Sequence, residues 1–232
     1  MGMSERPGFS VAAVAALDDD LRRGMYEFIR RAHRPVTRDE AAAAVGISRK
    51  LAAFHLDKLV DTGLLRARCE PVDGIRRVGR APKVYEPAET EIRVNIPPRH
   101  HDLLADILLD AVLTEGEQEN AHQAALRTAR ERGAALGAEQ RPRGPGRLGA
   151  ERALTRSAEV LVDLGFEPER QTPTCVRLRN CPFHPLTGKS PELVCGINRA
   201  FLEGFLTGLR AHSVEAVLAP QPGECCVSLR ST

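Results

Sequence analysis

The chain has 232 residues, of which 42% are apolar, and a formal net charge of +2. That length allows one large domain or two small ones. The longest apolar run, residues 11–17, is far shorter than the ~20 residues of a membrane helix, and no apolar stretch of a secretory signal begins the chain. We therefore expect a cytoplasmic protein with no membrane span, whose six cysteines are ligands or redox thiols instead of structural disulfides.

The small net charge is divided unevenly along the chain. Residues 1–100 contain 18 Lys and Arg against 14 Asp and Glu, whereas residues 101–232 contain 15 against 17. The first part is therefore the better candidate for binding an anionic partner.

Breakers and composition divide the chain into three predicted segments. Residues 1–98 contain three predicted helices and a hairpin, the first helix covering residues 17–32, and they end at the breaker sequence Asn-Ile-Pro-Pro. Residues 99–149 are predicted to contain a helical region for dimerisation over 99–140 and a flexible Gly- and Pro-rich link over 141–149. Residues 150–232 alternate in the order αββαββ, with helices over 151–164 and 191–210 and a last strand over 225–229. The fold class is therefore α+β.

Two consecutive helices in the first segment have the spacing of a helix-turn-helix. Thr37 and Glu40 form a capping box that opens a short Ala-rich helix over 38–45. A turn at Gly46 follows, and Ser48 caps a third helix over 49–62. A short helix, a Gly turn and a capped longer helix are typical of a helix-turn-helix.

Amphipathicity assigns the two faces of the third helix. The side chains expected to pack inward are Leu51, Ala52, Leu56, Leu59 and Val60. The N-terminal end of such a helix enters the major groove. The expected DNA contacts are Ser48, Arg49, Lys50, Ala53, Phe54 and, on a phosphate, Lys58. His55 is interpreted as half-buried beside the core, and Asp57 and Asp61 mark the limit of contact.

A basic hairpin follows the third helix. One strand starts near Leu65 and its partner starts at Lys83. The loop and its flank supply four cations for a wing along the DNA backbone, namely Arg76, Arg77, Arg80 and Lys83.

These motifs together resemble the winged helix of ArsR-like bacterial regulators. The resemblance lies in TRDEAAAAVGISRKLAAFHLDKLVDTGLL and the following GRAPKVYEP, and it covers roughly residues 15–90. It implies a homodimer that binds a palindromic operator in double-stranded DNA. The paired cysteines of metal-sensing members, which precede the recognition helix, are absent, so we do not expect a toxic-metal sensor of that type.

Five of the six cysteines lie after residue 174, at Cys175, Cys181, Cys195, Cys225 and Cys226. Cys195 follows a helix start in which Ser190 is the predicted cap and Pro191 the first residue, so the exposed amides favour a thiolate. Gly204 and Gly208, four residues apart on the same helix, predict close packing against the sheet. The spacing contains no C-x2-C knuckle of a zinc ribbon, and widely spaced thiols suit an iron–sulfur cluster better. Cys69, alone on the hairpin, is interpreted as a small apolar residue.

The cysteine segments NCPFHPLTGKSPELVC and GECCVSL resemble the C-terminal sensor of SufR-type iron–sulfur repressors. With the winged helix, that resemblance extends over nearly the whole chain. It implies that Cys181, Cys195 and Cys226 are the cluster ligands, with Cys225 as the alternative to Cys226. The αββαββ order also resembles 4-vinyl-reductase-like domains, which bind small molecules.

Three interpretations of the thiols stay open at the level of sequence. They form an iron–sulfur site, or a zinc or thiol site at Cys181, His184, Cys195 and Cys226, or buried cysteines around an organic-effector pocket. The first predicts a repressor whose operator affinity depends on the cluster. Ser-His-Asp order, phosphate loops and paired-carboxylate motifs are absent from the sequence, so a reductase-like enzyme is the less favoured alternative.

Overall fold

A computed structural model describes residues 7–70, 81–89, 91–141 and 148–232, which form a mixed α+β structure as predicted. The chain divides into two compact units, Met1–Val94 and Asn95–Thr232. The helices predicted for dimerisation therefore lie in the second unit, and residues 142–147 of the predicted link fall outside the described residues. No helix in the described ranges is both long enough and apolar enough to cross a membrane.

The first unit contains four helices and a small sheet. Its elements are α1 (Pro7–Ala16), α2 (Asp20–Ala32), β1 (Val36–Thr37), α3 (Arg38–Ala44), α4 (Arg49–Asp61), β2 (Leu65–Cys69) and β3 (Lys83–Pro87). The prediction that one helix begins at Leu17 was wrong, because Asp19 caps α2 by accepting a hydrogen bond from the amide of Arg22 at 2.9 Å.

The predicted starts of α3 and α4 are confirmed by their caps. Thr37 and Glu40 exchange the two hydrogen bonds of a capping box, and the Ser48 side chain accepts from the amide of Leu51. Gly46 turns the chain between the helices with a φ of +70°, where a side chain would be strained. The local signals in the sequence therefore fix the entry to α4.

The inward face of α4 is narrower than amphipathicity predicted. Ala52, Leu56 and Leu59 are fully buried, but Leu51 is 41% exposed, so its predicted burial was wrong. Leu51 lies about 100° around the helix from Ala52, at the edge of the face that Ala52, Leu56 and Leu59 bury. His55 is buried and not half-buried as predicted, and its Nδ1 lies 3.9 Å from a carboxylate oxygen of Asp19.

The sheet of the first unit is antiparallel in the order β1-β3-β2. Val36 of β1 and Ala67 of β2 both pair with Tyr85 of β3, and Tyr85 is fully buried. Cys69 is exposed at the end of β2, so it does not pack as the apolar residue that the sequence suggested. The two strands predicted to flank a basic loop, β2 and β3, are therefore neighbours in this sheet.

The capping box predicts a measurable acid dependence of stability. A hydrogen bond from Arg34, with the Thr37 amide, lowers the pKa of Glu40 to about 2 from an ordinary 4.5. Because this pKa is depressed on folding, the stabilisation is complete above about pH 4.5 and is lost as pH falls through about 2. Urea unfolding at stepped pH should show that Glu40→Ala loses ~1 kcal/mol at neutral pH and that this loss shrinks in acid.

The same experiment has a matched control in Glu40→Gln, whose amide can still accept the capping bond from the Thr37 amide but carries no charge. This variant should keep most of the stability at neutral pH. An alanine variant as stable as the parent at pH 7 would contradict the role given to Glu40.

The second unit places helices on a four-stranded antiparallel sheet with the order β4-β5-β7-β6. Its elements are α5 (His101–Leu113), α6 (Ala121–Glu139), α7 (Ala150–Asp163), β4 (Pro168–Thr172), β5 (Cys175–Leu178), a 3-10 helix (Leu186–Gly188), α8 (Pro191–Leu209), β6 (Val214–Leu218) and β7 (Val227–Ser231). The prediction that the last strand begins at Cys225 was wrong, because β7 starts two residues later.

Helix α8 lies at the centre of the second core. Phe201 and Phe205 on α8 and Phe183 from the preceding turn are buried completely or nearly so. The chain from β5 to α8 therefore passes through the core at Phe183, which fixes the turn that carries Cys181.

Helices α6 and α8 pack with their backbones in contact. A Cβ atom on Gly133 of α6 would overlap the carbonyl oxygen of Phe201, and one on Gly204 of α8 would overlap that of Arg130. The same contact recurs one turn further along, at Gly137 and Gly208. The prediction that the α8 glycines pack on the sheet was wrong, because they face α6.

Candidate functional site

The N-terminal end of α4 presents the side chains predicted to contact DNA. Ser48, Arg49 and Lys50 are exposed at the first turn, and Phe54 one turn on is 64% exposed. The Phe54 ring contacts the buried His55 ring edge to face, with centroids 5.4 Å apart, and the rest of the Phe54 ring is open to solvent. Two further predicted contacts, Ala53 and Lys58, are half-buried and exposed respectively.

Two of the predicted cationic contacts are held by carboxylates of the same unit. Arg49 Nε lies 3.0 Å from Asp39 Oδ1, between two exposed side chains. Lys83 Nζ donates to Asp57 Oδ1 at 2.7 Å, and this hydrogen bond raises the pKa of Lys83. A phosphate would have to compete with Asp39 and Asp57 for these cations.

The predicted wing is only partly described. Lys83 opens β3, and Arg66 and Arg68 on β2 form ion pairs with Glu86. The other three predicted wing cations, Arg76, Arg77 and Arg80, lie outside the described residues.

The second unit brings four cysteines together from three separate segments. Cys181 lies in the turn after β5, Cys195 in the second turn of α8, and Cys225 and Cys226 in the segment before β7. Cys181, Cys225 and Cys226 are buried and Cys195 is half-buried. All four predicted cysteine ligands therefore belong to one cluster, which we call the cysteine site.

The thiols of the cysteine site form hydrogen bonds with one another. The bond to Cys225, then burial, raises the pKa of Cys181 well above its ordinary range, although the amides of Phe183 and His184 act against this. The bond with Cys181 lowers the pKa of Cys225, but the bond with Cys226, together with burial, raises it to about 12. At neutral pH, Cys181 and Cys225 are therefore protonated.

The prediction that helix α8 makes Cys195 a thiolate was wrong. Burial raises the pKa of Cys195, and the neighbouring Cys181 and Cys225 raise it further, while a hydrogen bond with Cys226 lowers it. Desolvation in this crowded site is the largest cause of the raised pKa. The Ser190 side chain, predicted as the cap, makes no capping hydrogen bond.

His184, the possible fifth ligand, has an exposed side chain. Its contribution to the cysteine site is its backbone amide, which hydrogen-bonds to the Cys181 sulfur and to the Cys181 carbonyl oxygen. Cys175 lies on β5, paired with Thr172 of β4, and stays outside the four-thiol cluster.

Asn198 is a buried polar partner of the cysteine site. Its Nδ2 donates to the Cys225 sulfur at 3.1 Å, while its Oδ1 has no hydrogen-bond partner among the described residues. Hydrogen bonds to ligating sulfurs tune metal centres in proteins. Asn198 was not predicted from the sequence, although its position three residues after Cys195 places it on the same helical face.

A buried ion pair anchors the segment that carries Cys225 and Cys226. Arg177 on β5, which is 3% exposed, contacts Glu224 at 2.7 Å and donates to the carbonyl oxygen of Ala219 at 3.1 Å. The Cys225 amide donates a hydrogen bond to the carbonyl oxygen of Leu178 at 3.0 Å. The pair therefore holds the loop that carries two of the four thiols, and it was not predicted from the sequence.

The cysteine site contains the residue types that hold a cofactor through thiolates. Four thiols converge in a buried place, with backbone and side-chain amides as donors to sulfur. Within the described ranges, however, no group of three or more His, Cys, Asp or Glu side chains is arranged so that it could hold a metal ion. Protonated thiols pair with one another, so ligation requires them to lose protons and to turn towards a common centre.

Comparison with protein-family models, curated proteins and solved structures gave no match to this chain.

Proposed function

We propose that this protein is a winged helix-turn-helix repressor whose operator affinity is controlled by an iron–sulfur cluster at the cysteine site. The observation that carries the proposal is the convergence of Cys181, Cys195, Cys225 and Cys226, from segments up to 45 residues apart in sequence, in a chain whose first unit exposes a cationic helix start. Sensor and reader would then be separate units of one chain.

The first unit supports binding to duplex DNA. Helices α3 and α4 have the lengths and caps of a helix-turn-helix, and a three-stranded sheet follows them. Arg49 and Lys50 would contact bases or phosphates in the major groove, and the exposed Phe54 would contact a thymine methyl group.

The cysteine site supports control by a thiolate-held group. Cys181, Cys195 and Cys226 would hold the cluster, with Cys225 as the alternative to Cys226 or as the fourth ligand. The cluster would supply a charged centre that depends on iron, sulfide and redox state. The chain's own part is to bury the thiols, to direct amides at sulfur, and to hold the Cys225–Cys226 loop through Arg177.

The second unit also supports a homodimer. Helix α5 exposes a row of large apolar side chains that no described element covers. They are Leu108, Leu109, Val112 and Leu113. A second copy on this face would bury them and present two α4 helices to half-sites about 34 Å apart.

The Arg49 side chain gives the first test of DNA binding. Arg49→Ala should weaken binding to a duplex from the protein's own promoter by ~1–3 kcal/mol, or roughly 5- to 150-fold in Kd. Fluorescence anisotropy at fixed salt measures this loss. Arg31→Ala is the control, because Arg31 is an exposed cation in a surface ion pair on α2; its Kd should not change. Equal affinities for the Arg49 variant and the parent would exclude Arg49 as a DNA contact.

Cofactor content gives the second test. Anaerobically purified protein should contain iron and acid-labile sulfide in near-equal amounts and absorb broadly in the visible range. Cys181→Ser should lose most of both, whereas Cys175→Ser, a change outside the cysteine site, should keep them. A colourless protein with one zinc per chain would contradict the iron–sulfur cluster and support the zinc site instead.

A cavity favours a second candidate, a regulator of the same class that senses a small organic effector. The cavity has a volume of about 300 Å³ between α8 and β6 and is lined in part by Arg199, Glu203, His212 and Glu215. This volume lies at the lower limit for small-molecule sites. Operator affinity that responds to a polar metabolite but not to cysteine substitution would support this candidate.

A further inference from the structure

The segment that begins the second unit is hydrogen-bonded to the turn that carries Cys181. The His100 amide donates to the carbonyl oxygen of Pro182 at 3.0 Å, and His101 Nε2 lies 2.9 Å from the carbonyl oxygen of His184. These bonds join residues more than 80 positions apart in the sequence. The turn around Cys181 is therefore fixed against the start of α5.

Arg99 and Asn180 form the centre of this connection. Arg99 Nη1 donates to the carbonyl oxygens of Cys181, at 3.2 Å, and of Pro98, at 3.1 Å, and also to Asn180 Oδ1. Asn180 is buried, and its Nδ2 donates hydrogen bonds to the carbonyl oxygens of Pro98, at 3.0 Å, and Gly165, at 2.5 Å. We call the set Arg99, His100, His101 and Asn180 the latch.

The position of the latch along the chain gives it a second connection. The second unit begins at Asn95, so residues 95–98 are the covalent connection from the first unit, and α5 starts at His101. The latch therefore contacts the Cys181 turn on one side. On the other side it contains the end of this connection and the first residue of α5, the helix that exposes the apolar row.

We infer that Arg99 and Asn180 are positioning residues for Cys181, and that the latch transmits a change at the cysteine site to residues 95–101. This inference rests on the proposed function and names the path of its regulation. The sulfur of Cys181 contacts Cys225 and receives the amides of Phe183 and His184, while the carbonyl oxygen of Cys181 receives Arg99.

The physical basis is the shared backbone of the Cys181 turn. To bind a metal, the Cys181 sulfur must rotate away from Cys225. The Phe183 and His184 amides, which donate to this sulfur, belong to the same turn whose carbonyl oxygens accept hydrogen bonds from the latch. The carbonyl oxygens of Cys181, Pro182 and His184 then shift relative to their latch partners. Coupling between sites requires an element with two arrangements, and our inference assigns that role to the latch.

Amide hydrogen exchange on the full-length chain tests the latch without DNA. Zn²⁺ serves as the thiol-binding probe, and exchange is followed by mass spectrometry in peptides that cover residues 95–104. Zinc binding should change exchange there about tenfold. Arg99→Met should bind zinc with the same stoichiometry yet show less than about a twofold change. Arg99→Lys, whose ammonium can donate to the same oxygens, should recover part of the response, and Arg152→Ala is the control on an exposed arginine.

A second arm separates the latch from the proposed function. Cys181→Ala removes the sulfur without any metal, and it should change exchange over 95–104 about tenfold, whereas Cys175→Ala should not. If the protein binds no metal but Cys181→Ala produces this change, the latch stands and the cluster proposal fails. If neither zinc nor Cys181→Ala alters exchange at 95–104, or if Arg99→Met leaves the response intact, the latch is wrong.

Discussion

Replacing Arg177 by alanine is expected to lower the free energy of unfolding of the second unit by ~3 kcal/mol. The change removes the buried partner of Glu224, whose side chain is 13% exposed, and leaves the Ala219 carbonyl oxygen without its donor. Removing one partner of a buried pair costs more than the pair contributes, because the remaining charge stays desolvated. Arg179 also contacts Glu224, which keeps the loss at the lower end of the usual range.

Urea unfolding measures the effect, and Arg179→Ala is its matched control. Arg179 contacts the same carboxylate but is 38% exposed, so its loss should stay below ~1 kcal/mol. Because the loop beyond Glu224 carries Cys225 and Cys226, the Arg177 variant should also retain less iron and sulfide. Equal destabilisation by the two variants would show that burial does not distinguish the two arginines.

Gly204→Ala is expected to destabilise the second unit by ~3 kcal/mol, the upper end of the range for overpacking. The added methyl group would overlap the carbonyl carbon and oxygen of Arg130 on α6, and a backbone cannot give way as a flexible side chain can. The two helices would have to move apart along their whole contact, which includes Gly133, Gly137 and Gly208.

Thermal and urea unfolding should both record this loss, with Gly188→Ala as the control. A Cβ at Gly188 meets no heavy atom within 4 Å and its φ is not positive, so this variant should unfold like the parent. A Gly204 variant within ~0.5 kcal/mol of the parent would contradict the backbone contact between α6 and α8.

Local signals in the sequence predicted the starts of helices well. Thr37, Ser48 and Pro191 stand at or next to the starts of α3, α4 and α8, because caps and N1 prolines act on amides within one turn. Amphipathicity was less reliable at Leu51, since periodicity gives the side of a helix that faces the core but not how wide the buried face is.

Long-range contacts were not predictable from one sequence. The Arg177–Glu224 pair and the Arg99–Cys181 bond join residues 47 and 82 positions apart, and neither leaves a periodic pattern. The glycines of α8 suggested close packing, but the sequence did not identify α6 as the partner. The spacing of the cysteines marked the four thiols that the fold brings together, while the raised pKa of Cys195 depends on burial, which spacing does not reveal.

The most direct test of the proposed function is the affinity for promoter DNA of one protein preparation in two states, iron- and sulfide-loaded and cofactor-free, at a single salt concentration. We predict that the Kd of the two states differs about tenfold or more, within the usual range of coupling energies, and that Cys181→Ser abolishes the difference. Identical Kd values in protein with measured iron and sulfide would contradict control of DNA binding by the cysteine site.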